Sequence, residues 1–159
     1  MNTAYLLIGG NLGDRAAYLQ EAVKHIEARC GSITSRSSIY ETAAWGNTNQ
    51  PTFYNQALQL ITTLTPASLL EQLLAIELEM GRVRTQKYGP RTIDLDILMI
   101  DDKVLDSQTL TIPHPQLHNR RFALLPLTEI APLLKHPVFD QTVSELLVNC
   151  TDTLDVQKK

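Results

Sequence analysis

Cysteine is scarce: Cys30 and Cys150 are the two in 159 residues, far apart and without CxxC or Cys/His spacing. That pattern argues against a redox pair or thiolate metal centre, and each thiol is expected to fill space as a small apolar group. Long apolar runs are missing too. The first, Tyr5 to Ile8, is far too short for a membrane span or signal peptide, and no basic leader precedes it, so a cytoplasmic protein is expected. No Pro/Gly/Ser-rich linker, repeat or low-complexity tract interrupts the chain. One domain, residues 1–159, is therefore expected, frayed only over Asp155 to Lys159, with a monomer as the default state. Positive charge is not in excess: a net charge of -3 and a pI near 5.8 exclude a broad nucleic-acid footprint, while leaving room for a local basic patch that holds a small anion. The central strands also lack the aromatic-rich runs of RNA-binding domains.

What the chain does have is periodicity. Tyr5 to Ile8 reads as a buried strand entering the glycine-rich turn Gly9-Gly10-Asn11-Leu12-Gly13. Asp14 can cap a helix that carries Leu19, Ala22, Val23 and Ile26 at helical spacing, and Gly31 can take the left-handed backbone that ends it. Two strands follow, Ile33 to Tyr40 and Phe53 to Thr63, joined by the polar connection Gly46 to Pro51, a candidate mobile loop. Thr65-Pro66 starts a second helix, since Thr caps and Pro suits a first turn whose N–H groups have no partner. Leu69, Leu73, Ile76 and Met80 form its core stripe, widened by Leu70 and Leu74, and Gly81 stops it. A polar stretch, Arg82 to Arg91, leads into a strand over Ile93 to Ile100. The order βαββαβ predicts an α+β, ferredoxin-like core, with helices packed on one face of a mainly antiparallel sheet. A C-terminal extension follows, with helical segments near Arg121 to Ile130 and Val143 to Val148.

Chemistry concentrates between Arg82 and Ile97, where four cations precede two anions. Strand residues two apart share a face at a spacing of about 6.6 Å, so Asp94 and Asp96 present two carboxylates together while Ile93, Leu95 and Ile97 turn inward. Mg²⁺ takes one or two carboxylates and completes its octahedron with waters and phosphate oxygens. Taken alone, the two acids read more readily as the solvated polar face of an edge strand than as a metal site. Arg82, Arg84 and Arg91 shift that balance, because planar guanidinium forks around a Gly-Pro turn suit a polyphosphate, although a basic solvated loop would contain the same residues.

The run Lys87-Tyr88-Gly89-Pro90-Arg91-Thr92-Ile93-Asp94-Leu95-Asp96-Ile97-Leu98 resembles the signature of the 6-hydroxymethyl-7,8-dihydropterin pyrophosphokinase family: basic, any, small, Pro, Arg, two variable, Asp-apolar-Asp, two apolar. The resemblance extends in order along most of the chain, through Gly9 to Gly13, Tyr40-Glu41-Thr42, Phe53-Tyr54-Asn55, Gly81-Arg82-Val83-Arg84, Pro113-His114 and Asn119-Arg120-Arg121-Phe122.

This resemblance implies transfer of the terminal two phosphates of ATP, as one unit, to the hydroxymethyl group of a reduced pterin, with release of AMP. Asp94 and Asp96 would hold two Mg²⁺ ions, one bridging the α and β phosphates and one touching the β and γ phosphates and activating the acceptor hydroxyl. Arg82 and Arg91 would steady triphosphate charge, and Arg84 and Tyr88 would help close the site. Glu77, Ile97, Thr111, His114 and Arg120 match nucleotide-binding positions, with His114 equally readable as a turn residue between two prolines. Phe53 and Phe122 match the aromatics that sandwich the pterin, and Thr42 and Asn55, with the backbone at Ala43 and Trp45, would supply hydrogen bonds to its edge. His25, His118 and His136 match no assigned position.

The chain departs from the family pattern at Gly10, Ala43, Ala44, Trp45, Tyr88, Thr109 and Pro115, which bears on loop dynamics and on contacts to adenine and ribose. The competing reading is a ferredoxin-like domain that senses a nucleotide or amino acid without catalysis, and it needs no metal pair.

Overall fold

A computed structural model describes residues 1–44, 49–81 and 92–159. Its centre is an antiparallel sheet ordered β10-β3-β4-β1-β5, with β2 paired to the far half of β4. The strands are β1 (Asn2–Gly10), β2 (Ser32–Arg36), β3 (Tyr40–Thr42), β4 (Phe53–Thr62), β5 (Asp94–Ile100) and β10 (Val156–Lys158). Side-chain alternation along β1 divides the core. Ala4, Leu6 and Ile8 pack with α1 (Arg15–Arg29) and α2 (Pro66–Glu79) on one face. Tyr5 and Leu7 pack with α3 (Arg121–Ile130) and α4 (Val143–Val148) on the other. Helices thus cover both faces: the C-terminal extension closes the side that the βαββαβ core leaves open.

The caps follow local chemistry. The Asp14 carboxylate accepts the Ala17 N–H at 3.1 Å, and Thr65 Oγ1 accepts the Ser68 N–H at 3.1 Å. After α1 the chain passes through Gly31 at φ +152°, where a Cβ would lie 2.1 Å from the Ile61 carbonyl oxygen, so only glycine lets β2 turn in beside β4. The α2 stripe of Leu69, Leu73, Ile76 and Met80 is buried as expected, with Leu70 partly buried against it. Leu74 is 40 % exposed and lies outside the buried stripe.

Three features differ from the sequence reading. The strand expected over Ile33 to Tyr40 is broken at Ser37–Ile39, where Ser37 Oγ accepts the Ala57 N–H at 2.9 Å, the Ser37 N–H donates to the Ala57 carbonyl, and Gln56 donates to the Ser37 carbonyl. Those bonds bend the chain so that β2 and β3 pair separately with β4. The terminal stretch expected to fray instead contributes β10, paired with β3. Two short ribbons, β6 (Leu105–Asp106) with β7 (Thr111–Ile112) and β8 (Lys135–His136) with β9 (Gln141–Thr142), add to the elements read from the sequence. Among the described residues no helix is long and apolar enough to cross a membrane.

Candidate active site

β5 runs along the margin of the sheet beside β1, and its first residues carry the acids. Asp94 lies opposite Gly9 and Asp96 opposite Leu7, so both side chains share the face of Leu7 and are half-buried there. Ile93, Leu95 and Ile97 enter the core against α1 and α2. A register shift in β5 opposite Tyr5/Leu6 leaves Leu98 without a partner in β1, so Leu98 and Met99 both reach the α3/α4 side. Ile97 is 5 % exposed on the opposite side from the acids, leaving its backbone as the part that can meet a nucleotide.

The outer edge of β5 is held from two directions. Glu77, buried at 2 % exposure on α2, accepts the Leu95 N–H at 2.7 Å, between the two acids. On the same margin the Leu98 carbonyl accepts the His114 N–H at 2.9 Å. These bonds satisfy groups that a further strand would otherwise pair, and they fix the backbone that presents the carboxylates.

His114 follows the cis Ile112–Pro113 peptide by one residue. Its Nδ1 accepts the Gln116 N–H at 3.1 Å, which leaves Nε2 to carry the proton of the neutral ring. Burial, reinforced by the Arg120 cation and opposed by Asp94, pushes its pKa down to about 4. At neutral pH His114 is therefore an uncharged N–H donor set between a cation and an acid, suited to a phosphate oxygen. The Arg120 guanidinium carbon lies 5.6 Å from the Phe122 ring centroid, which sets the cation against an aromatic face. Thr111, on β7, is half-buried beside β5.

Across β1 lies the other half of the site. Register places Tyr40, Asn55, Gly9 and Asp94 in one row over four strands. Asn55 lies over Gly9 so closely that a Cβ there would meet Asn55 Oδ1 at 2.1 Å and the Tyr54 carbonyl oxygen at 2.7 Å, so the glycine makes room for the amide. Phe53, half-buried at the start of β4, pairs with Thr42 on β3, and Ala43 follows, also half-buried.

The structure thus brings Asp94, Asp96, Asn55, His114, Arg120 and Phe122 onto one end of one sheet face, with Thr42, Ala43 and Phe53 along the same row of strands. Glu77 reaches the site from beneath the strand edge. Arg82, Arg84, Tyr88 and Arg91, together with Trp45 and the first half of the loop expected over Gly46 to Pro51, lie outside the described residues. As a donor set, two neighbouring carboxylates fit Mg²⁺, a hard cation that takes a few protein oxygens and completes its shell with phosphate and water.

Residues 5–132 match the family described as 7,8-dihydro-6-hydroxymethylpterin-pyrophosphokinase (HPPK). The chain belongs to this family. Two HPPK relatives resemble it over nearly their whole length. A protein of Methylorubrum extorquens named 2-amino-4-hydroxy-6-hydroxymethyldihydropteridine pyrophosphokinase is 44% identical over 148 residues, covering 92% of each chain. Its namesake from Aquifex aeolicus is 41% identical over 145 residues, covering 91% of this chain and 90% of that one. Among solved structures, Plasmodium falciparum HPPK-DHPS with pteroate superposes with a TM-score of 0.75 at 20% identity, over 93% of this chain. The present chain spans 42% of that longer one, and at this identity the likeness shows the fold.

Two contributions to the candidate site were not read from the sequence. Asn11, almost fully buried in the glycine-rich turn, donates through Nδ2 to Gln50 Oε1 at 2.8 Å and to the Pro51 carbonyl at 2.9 Å, tying that turn to the approach to β4. An Asn within a Gly-rich turn was the available signal. Gly9 beneath Asn55 had none, because the close approach is between strands.

Proposed function

We propose that the chain performs its pyrophosphokinase reaction at the acidic end of β5. There it transfers the terminal diphosphate of ATP to the hydroxymethyl group of 6-hydroxymethyl-7,8-dihydropterin and releases AMP, a step of folate biosynthesis. The observation that carries this location is the shared face of Asp94, Asp96 and Asn55, with the neutral His114 electrostatically linked to both Asp94 and Arg120.

Each residue has a chemical task. The acceptor oxygen attacks the β-phosphorus while the bond to the α–β bridging oxygen breaks, so charge builds on the phosphate oxygens and on departing AMP. His114 offers a neutral Nε2–H to a phosphate oxygen, and Arg120 offers positive charge next to it. Asp94 and Asp96 would hold Mg²⁺, two ions by the family pattern, and the metal would supply screening of phosphate charge and activation of the acceptor hydroxyl. Glu77 acts from below, keeping Leu95 in place between the acids. Thr111 and the Ile97 backbone line the nucleotide side; by the family pattern Arg82 and Arg91 would steady triphosphate charge, and Arg84 and Tyr88 would help close the site. On the pterin side Phe53 and Phe122 stack on the ring, while Asn55, Thr42 and the backbone of Ala43 and Trp45 bond its edge. The whole chain works as one domain.

Incubation with ATP, Mg²⁺ and 6-hydroxymethyl-7,8-dihydropterin, followed by chromatography of the nucleotides, is expected to yield AMP only when the pterin is present. ADP would mean single-phosphoryl transfer, and the absence of turnover despite ATP binding would leave a nucleotide sensor.

A further inference from the structure

The segment Asp152–Lys159 bonds to both walls of the pterin site. At one end the Asp152 carboxylate accepts the backbone N–H of Arg121 at 3.1 Å through Oδ2 and that of Leu154 at 3.0 Å through Oδ1. Arg121 opens α3 and directly precedes Phe122, so this bond anchors the aromatic wall. The chain then runs alongside β3 as β10, with Val156 opposite Thr42 and Lys158 opposite Tyr40. The Asp155 carbonyl accepts the hydroxyl hydrogen of Thr42 at 2.9 Å, and the Lys159 N–H donates to the Ile39 carbonyl at 2.8 Å. β3 is three residues long and meets β4 on its inner side, so β10 supplies the whole of its outer pairing.

A threonine hydroxyl has one hydrogen. Because Thr42 donates it to Asp155, the oxygen presents lone pairs to any other group and reads as an acceptor. An acceptor at that point matches a heterocycle edge bearing N–H donors, such as the amide N–H and amino group of a pterin, and rejects an edge bearing a carbonyl.

We infer that Asp152–Lys159 is a positioning strap: through Asp155 it sets the hydrogen-bond polarity of Thr42, through Asp152 it holds the first turn of α3, and together these select a ring with a donor edge. This rests on the assignment of Thr42 and Phe122 to the pterin. Asp152 and Asp155 act through those residues and need not touch the substrate.

The test compares the parent with a chain truncated after Thr151, with Asp152→Ala and Asp152→Asn, and with Thr42→Val. KM for the pterin, KM for ATP, kcat and the melting midpoint are read for each. Losing one or two such hydrogen bonds corresponds to a roughly three- to tenfold rise in pterin KM, with KM for ATP within about twofold of the parent. Asp152→Ala is expected to show the lower end of that range, and Asp152→Asn to recover part of it, since its single amide oxygen can still accept the Arg121 N–H while the Leu154 N–H loses its acceptor. If the truncated chain does not fold, the two Asp152 variants decide. A rise in pterin KM for Thr42→Val with none for the strap variants overturns the strap and keeps the site. No rise for Thr42→Val overturns the pterin assignment itself. Equal rises in both KM values, following the melting midpoint, mark the segment as fold-stabilising only and overturn the inference.

Discussion

The two faces of the sheet are built by the same strands and have opposite characters. On the α1/α2 face, Leu6, Ile8, Leu58, Leu60, Leu95 and Ile97 make an apolar layer that continues to the end of β5. On the α3/α4 face the apolar layer of Tyr5, Leu7, Leu98 and Met99 stops short, and Asp94, Asp96 and Asn55 take over. One face is core throughout; the other is core for half its length and chemistry for the rest. A period of two lets one strand do both, because the residue that anchors the sheet and the residue that meets substrate are neighbours in sequence. The rigidity of the first face becomes the precision of the second.

Breaking the site face alone should give the largest effect. Asp94→Asn is expected to lower turnover by at least about 100-fold, the scale seen when one transition-state stabilising group is removed, while the melting midpoint stays near that of the parent. Pterin-dependent AMP release and thermal unfolding measure the two together, and parental turnover would remove Asp94 from the metal site. The converse change, Ile8→Ala in the apolar layer, is expected to cost roughly 2–5 kcal/mol of stability. Denaturant titration reads that loss, and the fraction still folded should turn over at close to the parental rate. A substitution at the seam touches both faces. Gly9→Ala pushes a methyl into Asn55, so a loss of about 1–3 kcal/mol is expected together with a raised KM for the pterin; an unaltered KM would show that Asn55 is not held for substrate.

The smallest effect concerns pH. His136 is almost fully buried, and its Nδ1 accepts the backbone N–H groups of Val138 and Phe139 at 3.2 Å each. Burial, and secondarily the charge of His118, depress its pKa below 6.5. Between that depressed value and about 6.5 the unfolded chain binds a proton that the folded chain does not, so stability falls as pH drops through this window and levels off above it. His114, also held low, acts with the same sign. His136→Asn keeps an acceptor for the two N–H groups and should flatten this slope in melting midpoints measured from pH 4 to 7; an unchanged slope would assign it to other groups.

Much of this was legible in the sequence wherever the deciding interaction was local. Asp14 and Thr65-Pro66 announce their helices because a cap acts within one turn. Arg121–Ile130 and Val143–Val148 appear where their helical segments were expected. The acids of Asp94-Leu95-Asp96 could be placed on one face because strand alternation needs no knowledge of neighbours. What escaped depends on residues distant in the chain. The break at Ser37 is set by Ala57 and Gln56, the room above Gly9 is used by Asn55, and Glu77 lies under Leu95. β10 escaped for another reason: Val156-Gln157-Lys158 is too short and too polar to show a period, and it becomes a strand because β3 offers it an edge.

The margin of β5 has a consequence for the protein in a crowded solution. An outermost strand with open backbone groups is a template on which a second molecule can lay its own strand, the first step towards aggregates. Here Glu77 takes up the N–H of Leu95, the His114 N–H takes up the carbonyl of Leu98, and the register shift at Leu98 skews the strand. The groups that steady the reactive carboxylates therefore also deny a foreign strand its footing, so loosening either one should show as clumping at high concentration alongside the loss of turnover, and light scattering reads it.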